Sequence, residues 1–227
     1  MSSWRRVLIM AEMHGRDLTR RHIALGLLIA LPASFYLASM GSGVEAIVAG
    51  GVGMAFSVSG ATLFSILSSS EVDQRLVLSG YRPLDLLIGR LMFLGPLGLL
   101  IAGCFSGVMI AVSNPARPWL TLLGVSAVAM QSIPFGLAVG AAVPRELEGT
   151  LVLIGVVGMQ LAVDPDSPVS KVLPFYGPQE LIHASLVPSA ALAGPLLLTV
   201  TYGFALLVVA RLFVARRVGV ARHPGIA

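Results

Sequence analysis

Residues 46–70 read AIVAGGVGMAFSVSGATLFSILSSS, 25 positions without a charge. At 1.5 Å per helical residue, about 20 apolar residues cross the ~30 Å hydrocarbon core of a bilayer. This stretch therefore reads as a membrane span. Four more runs of the same kind accompany it, at residues 23–44, 91–112, 119–143 and 190–210. Residues 149–163 are apolar over only 15 positions, a length that suits either a short span or a re-entrant segment. Of the 227 residues, 56% are hydrophobic and 11% charged, and the mean hydropathy is +0.89. Soluble domains carry about 25% charged residues, so a water-soluble globule, a disordered tail and a coiled coil are excluded. Cys104 is the only cysteine, which excludes an intrachain disulfide and a cysteine-based metal cluster.

The placement of charge sets the expected topology. Arg5, Arg6, Arg16, Arg20 and Arg21 precede the first run, and Arg75, Arg82 and Arg90 lie between the second and third. Arg145 precedes the short run, and Arg211, Arg216, Arg217 and Arg222 follow the last. If the short run crosses, 13 of the 15 basic residues share one side with both termini, and only Arg117 and Lys171 lie opposite. Cytoplasmic loops collect Lys and Arg, so that side is expected to be cytoplasmic. The predicted fold class is an all-α polytopic membrane protein, one domain over residues 1–227. Its six transmembrane helices are expected near residues 23–43, 46–70, 91–112, 119–143, 146–163 and 190–213. Residues 71–90 form a cytoplasmic loop, and residues 164–189 an external loop open to re-entry. Arg145 would snorkel to the interface at the foot of a fifth span that begins before Gly149. The calculated pI near 9.8 belongs to this membrane pattern and not to nucleic-acid binding.

The first 22 residues carry five arginines, two histidines and two acids. That is no cleavable signal peptide, which needs a compact apolar core. Trp4, Val7, Leu8, Ala11 and Leu18 share one helical face, while Arg5, Glu12, Arg16 and Arg20 fall elsewhere. The segment is predicted to be an amphipathic helix in the cytoplasmic interface.

Several chemistries are missing. Ionisable residues inside a membrane mark proton and ion pathways, and the runs hold almost none; Glu45 and Arg211 sit near their edges. There is no H-E-x-x-H, G-x-S-x-G or P-loop motif. Lys171 is the only lysine and follows no glycine-rich loop, so the chain is expected neither to be an enzyme nor to hydrolyse ATP itself. Nothing in the sequence positions His183 against Ser126 or Ser132 for intramembrane proteolysis.

Residues 71–90 read EVDQRLVLSGYRPLDLLIGR. Val72, Leu76, Val77 and Leu78 favour a short helix, Ser79-Gly80 ends it, and Pro83 suits the first turn of the next. A charged inner loop, PRELEG, residues 144–149, precedes the fifth run, and the last two runs are separated by LPFYGPQELI, residues 173–182. With six spans and an amphipathic N-terminal helix, this layout resembles the ABC-2-type permease family, the membrane subunits of ABC transporters. In that family an acidic residue ends the second span, and a coupling helix and a glycine or proline turn follow; here Glu71, residues 74–78, Gly80 and Pro83 stand in those places. The resemblance covers nearly the whole chain. The chain departs from the family pattern in its short fifth run and in lacking a large external loop.

The resemblance implies an ABC-2 (type V exporter-like) transmembrane domain in the plasma membrane of a bacterium. Its partners would be two copies of an ATP-binding cassette subunit, a second membrane subunit (a like or unlike copy) and the lipid bilayer, with no nucleic acid. ATP and Mg would be bound by the partner ATPase, and the chain itself would hold no cofactor, metal or catalytic residue. Glu71, Asp73, Gln74, Arg75, Arg82 and Asp85 would couple to the ATPase. Ser57, Ser59 and Thr62, on a run rich in small and hydroxyl residues, suit packing within the chain as well as a face lining a cavity or a subunit interface; the resemblance places Met159 and Gln160 at that interface, near the cavity. With no charge expected mid-membrane, such a cavity suits a lipophilic or amphipathic cargo: a drug, a natural product or a lipid. The competing readings are a secondary transporter, which inverted repeats would mark, and a membrane-embedded enzyme or assembly factor, which a convergent polar cluster would mark.

Overall fold

The computed structural model describes residues 3–20, 22–42, 44–143, 145–164, 167–187 and 191–219. It is 86% helix, with no strand among the described residues. Helices α1 (Ser3–Arg20) and α2 (His22–Ala38) are followed by α3 (Val44–Ser68), α4 (Ser70–Leu78), α5 (Pro83–Ser113), α6 (Pro118–Ala142) and α7 (Glu146–Ala162). A 3₁₀ turn (Ser170–Val172) then leads into α8 (Tyr176–Ala184) and α9 (Ala193–Gly219). Four helices, α3, α5, α6 and α9, are long and apolar enough to cross a membrane. The chain is thus an α-helical protein of the multi-pass membrane type.

The helices α2 and α7 are shorter, 17 residues each. The first run of 22 apolar residues does not become one helix. It breaks after Ala38 into a turn where Gly41 has φ +110°, a conformation open to glycine. In the fifth run the helix begins at Glu146, three residues before the apolar stretch starts at Gly149, and Arg145 pairs with Glu148 at 3.0 Å.

The helix α3 and its partner α6 form the centre, both heavily buried along their length. Their closeness comes from small residues. A Cβ at Gly136 would strike the Ser59 carbonyl, and one at Gly140 would strike Ile66. On the other flank of α3, a Cβ at Gly53 would lie 2.8 Å from the Pro32 backbone. Pro32 has no N–H, so the Leu28 carbonyl loses its helical donor. Ser57 supplies one from the neighbouring helix, donating to Leu28 O at 2.7 Å. The hydroxyl-rich face of α3 therefore packs within this one chain. Phe35 and Phe56 pack across the same contact, with centroids 5.8 Å apart and ring planes tilted by 36°. By contrast α9 buries little of its surface, leaving Leu197, Val200 and Phe204 outward.

The predicted interfacial helix is helical, and it packs on protein. Val7 and Met10 are buried, and Met10 lies against Gly89 of α5, Val77 of α4 and Leu86. Met10 was not part of the expected apolar stripe; Leu8, which was, is exposed. The side chains of Trp4 and Leu18 lie outside the described residues.

Candidate functional site

The predicted loop at residues 71–90 is mostly helix. The end of α3 breaks at Ser69, whose Oγ donates to Ser65 O at 2.7 Å. Nine residues of α4 follow, closed by Gly80 at φ +97° and by a bond from Tyr81 N to Leu76 O at 3.0 Å. Pro83 then opens α5, as its fixed φ and missing N–H favour. Only residues 79–82 connect the two helices, and Arg90 lies inside α5.

Helix α4 is two-faced. Glu71, Gln74, Arg75 and Leu78 fall at i, i+3, i+4 and i+7 and are all exposed. Asp73 and Val77, one turn apart on the opposite face, are buried. Arg90 is 1% exposed and donates from Nη2 to Asp73 Oδ2 at 2.6 Å and to Ser69 Oγ. Arg217 of α9 adds its field to Asp73 and donates to the Gly140 carbonyl in the last turn of α6, where a cation offsets the helix dipole. Burial pushes the Asp73 carboxyl above its ordinary value, and the charge and hydrogen bond of Arg90, the field of Arg217 and the Ser69 hydroxyl pull it back. Five segments, the ends of α3, α6 and α9, the start of α5 and the whole of α4, are thus tied at one end of the bundle.

The six residues expected to couple to an ATPase divide accordingly. Glu71, Gln74, Arg75 and Arg82 are exposed. Asp73 is spent on Arg90. Asp85 is 3% exposed, and its Oδ2 accepts from Arg82 N at 3.3 Å, capping the start of α5. Both acids face inward and hold the α4–α5 hairpin. The buried ion pair itself was missed in sequence, because Arg90 read as a loop residue.

The five residues expected at a cavity or subunit interface divide too. Ser57, Ser59 and Thr62 are buried in the packing of α3 with its neighbours, and Thr62 Oγ1 donates back to Val58 O at 2.7 Å. Met159 is exposed on the outside of α7. Gln160 points the other way and donates from Nε2 to Gln179 Oε1 of α8 at 2.9 Å; its own Oε1 has no partner.

That bond belongs to a folded-back segment at the far end of the bundle. The Pro174 carbonyl accepts from Gln131 Nε2, halfway along α6, and the Ser185 carbonyl accepts from Arg117 N at the start of α6 at 2.8 Å. Between those two bonds residues 174–185 run back along half of α6. Glycine allows it: a Cβ at Gly124 would meet Ile182 at 2.7 Å, and one at Gly177 would meet Thr199 N at 2.6 Å. Phe175, 1% exposed, packs edge-on against Phe135 with centroids 5.5 Å apart. Tyr202 OH of α9 donates to Lys171 O at 2.6 Å. His183 is half-buried, and Ser132 donates to Val128 O at 2.7 Å.

A groove of about 300 Å³ opens beside Gln131, between α5, α6 and α9. No group of three or more His, Cys, Asp or Glu residues able to hold a metal occurs among the described residues. No protein-family model matches the chain, and no curated protein is significantly similar to it.

Proposed function

We propose that the chain is the transmembrane permease subunit of an ATP-driven ABC transporter of the ABC-2 type, moving a lipophilic or amphipathic compound outward. The observation that carries this reading is the two-faced α4. Its outer face is polar with an apolar end at Leu78, suited to docking a soluble protein. Its inner face is fixed by the Asp73–Arg90 pair and by Val77 against Met10 and Leu86. A push on the outer face is transmitted as a rigid displacement of α5 and of the end of α3. A two-state bundle biased by a remote ligand needs this kind of linkage.

In this reading α2, α3, α5, α6, α7 and α9 are the six spans, with α1 and α4 at the cytoplasmic face and α8 re-entering from outside. Arg75, Arg82, Arg90, Arg145, Arg211, Arg216 and Arg217 then share the cytoplasmic end and Arg117 the other, which accords with the positive-inside rule. Two ATP-binding subunits dock beneath, and a second membrane subunit completes the path. ATP and Mg sit in those partners, and closure of the ATPase pair alternates access to a cavity between the membrane subunits.

The test is a co-purification. The tagged chain, extracted from its native membrane in mild detergent, is expected to bring down a stoichiometric soluble subunit with ATPase activity. Recovery of the chain alone, or only with itself, in several detergents overturns the reading.

A further inference from the structure

Gln131 lies at the midpoint of α6, about 20 Å from Pro118 at 1.5 Å per residue. Its side chain is 3% exposed and borders the groove between α5, α6 and α9. Its Nε2 is engaged by the Pro174 carbonyl. A carbonyl only accepts, so this bond fixes which way the amide points. Gln131 Oε1 is left buried and without a partner. Three residues on, Pro134 has no N–H, so the Met130 carbonyl also lacks its helical donor. Gln131 and Met130 both line the groove, and a buried acceptor such as Gln131 Oε1 left unpaired is costly in hydrocarbon.

Thr199 also lines the groove, its hydroxyl donating to the Pro195 carbonyl at 2.8 Å, and the rest is apolar. Leu91, Ala127 and Leu207 wall it. Gly95 and Gly203 hold it open, for a Cβ at either would meet nothing within 4 Å. Its volume of about 300 Å³ is at the lower end of small-molecule sites.

We infer that this groove binds a lipophilic molecule bearing one hydrogen-bond donor, a hydroxyl or amine, which bonds Gln131 Oε1 while its apolar body lies against α5 and α9. The donor is required because Gln131 Oε1 accepts and the Thr199 hydroxyl has already given its hydrogen to the Pro195 carbonyl. The body must be apolar because the groove opens on the outer surface of apolar helices. Binding does not depend on the permease reading; treating the groove as a lateral portal for cargo rests on it. A bilayer lipid with a hydroxyl headgroup and a solute partitioned into the membrane offer the same chemistry.

The test uses the full chain in phosphatidylcholine nanodiscs, without any ATPase subunit. The probe is a long-chain alcohol carrying a photoreactive diazirine, and the control is its methyl ether. The alcohol is expected to label the groove segments of α5, α6 and α9 roughly ten-fold more than the ether, the worth of one hydrogen bond. Gln131→Leu is expected to erase that difference. Because this change also removes the bond to Pro174, a second variant keeps the test clean. Gly203→Leu fills the groove without touching Gln131 and is expected to abolish labelling while thermal unfolding stays at the wild-type temperature; Gly95→Leu is the equivalent from α5. Equal labelling by alcohol and ether in the wild type overturns the inference. So does unchanged labelling in a folded Gly203→Leu variant. Competition by unlabelled phosphatidylglycerol assigns the site to a lipid, and competition only by the unlabelled alcohol assigns it to a solute; either supports the site. Failure here leaves the co-purification result standing, and the absence of an ATPase partner leaves the labelling result standing.

Discussion

Arg90 Nη2 stands 2.6 Å from Asp73 Oδ2, with both side chains almost wholly shielded from solvent. The pair joins the short helix after α3 to the first turns of α5. Breaking a buried pair from one side typically costs about 3–5 kcal/mol, while replacing both partners by apolar groups is near neutral. Asp73→Leu and Arg90→Met should therefore each lower thermal stability in detergent strongly, and the double variant should recover most of the loss. Asp73→Leu should be the worse single change, because it leaves Arg90 and Arg217 facing each other without the anion between them. Additive losses in the double variant would show that the two residues do not depend on one another.

The same carboxylate predicts a pH effect. Burial already raises the Asp73 pKa, and Arg90 is the largest influence opposing it. Removing Arg90 raises it further. A carboxyl whose folded pKa exceeds its unfolded value favours the fold at low pH, and that contribution is lost as pH rises through the folded value. Arg90→Met should gain thermal stability on going from about pH 8 to about pH 5, and by more than the wild type does. Parallel pH profiles for the two proteins would refute this.

Ser57 and Pro32 form a second dependence. The Ser57 hydroxyl serves the Leu28 carbonyl only because Pro32 cannot. Ser57→Ala should cost about 1–2 kcal/mol, leaving a buried carbonyl unpaired. In a Pro32→Ala background the restored N–H takes over, and the same change should cost a few tenths. Chemical denaturation of the four proteins measures the difference; an equal cost in both backgrounds would remove the compensation.

The outer face of α4 carries the functional prediction. Glu71→Lys and Arg75→Glu alter exposed positions on the stripe that avoids Asp73. Both variants should insert and unfold like the wild type, within about 0.5 kcal/mol. In the reconstituted complex they should weaken the coupling of ATP hydrolysis to transport. Normal coupling in both would sink the docking role of this helix.

Much of the helical framework was legible because its signals are local. Charge-free runs mark α3, α5, α6 and α9; Gly80 and Pro83 mark the turn between α4 and α5. The site was legible only in part. The periodicity of residues 71–78 predicts a helix but not which side faces in, and Asp73 and Glu71 look alike until Arg90 is seen beneath one of them. Arg90 read as a loop residue because the apolar run starts after it, whereas the helix starts at Pro83. The hydroxyls of α3 suited internal packing as well as a cavity; which of the two they serve depends on Pro32 and on Gly136, which belong to other helices. Gln131 became informative only when Pro174, 43 residues away, was found to occupy half of its amide.

The unequal helix lengths have a consequence for the surrounding lipid. At 1.5 Å per residue, α2 and α7 are about 25 Å long and α5 about 46 Å. The two short helices both flank α3. Where α2 and α7 cross the membrane as the proposed topology has them, a bilayer with a ~30 Å core thins beside each of them and keeps its full depth beside α5. On that topology the protein presents a thin edge to the lipid at each short helix, and bilayers of short-chain lipids should hold it with less strain beside α2 and α7 than bilayers of long-chain lipids.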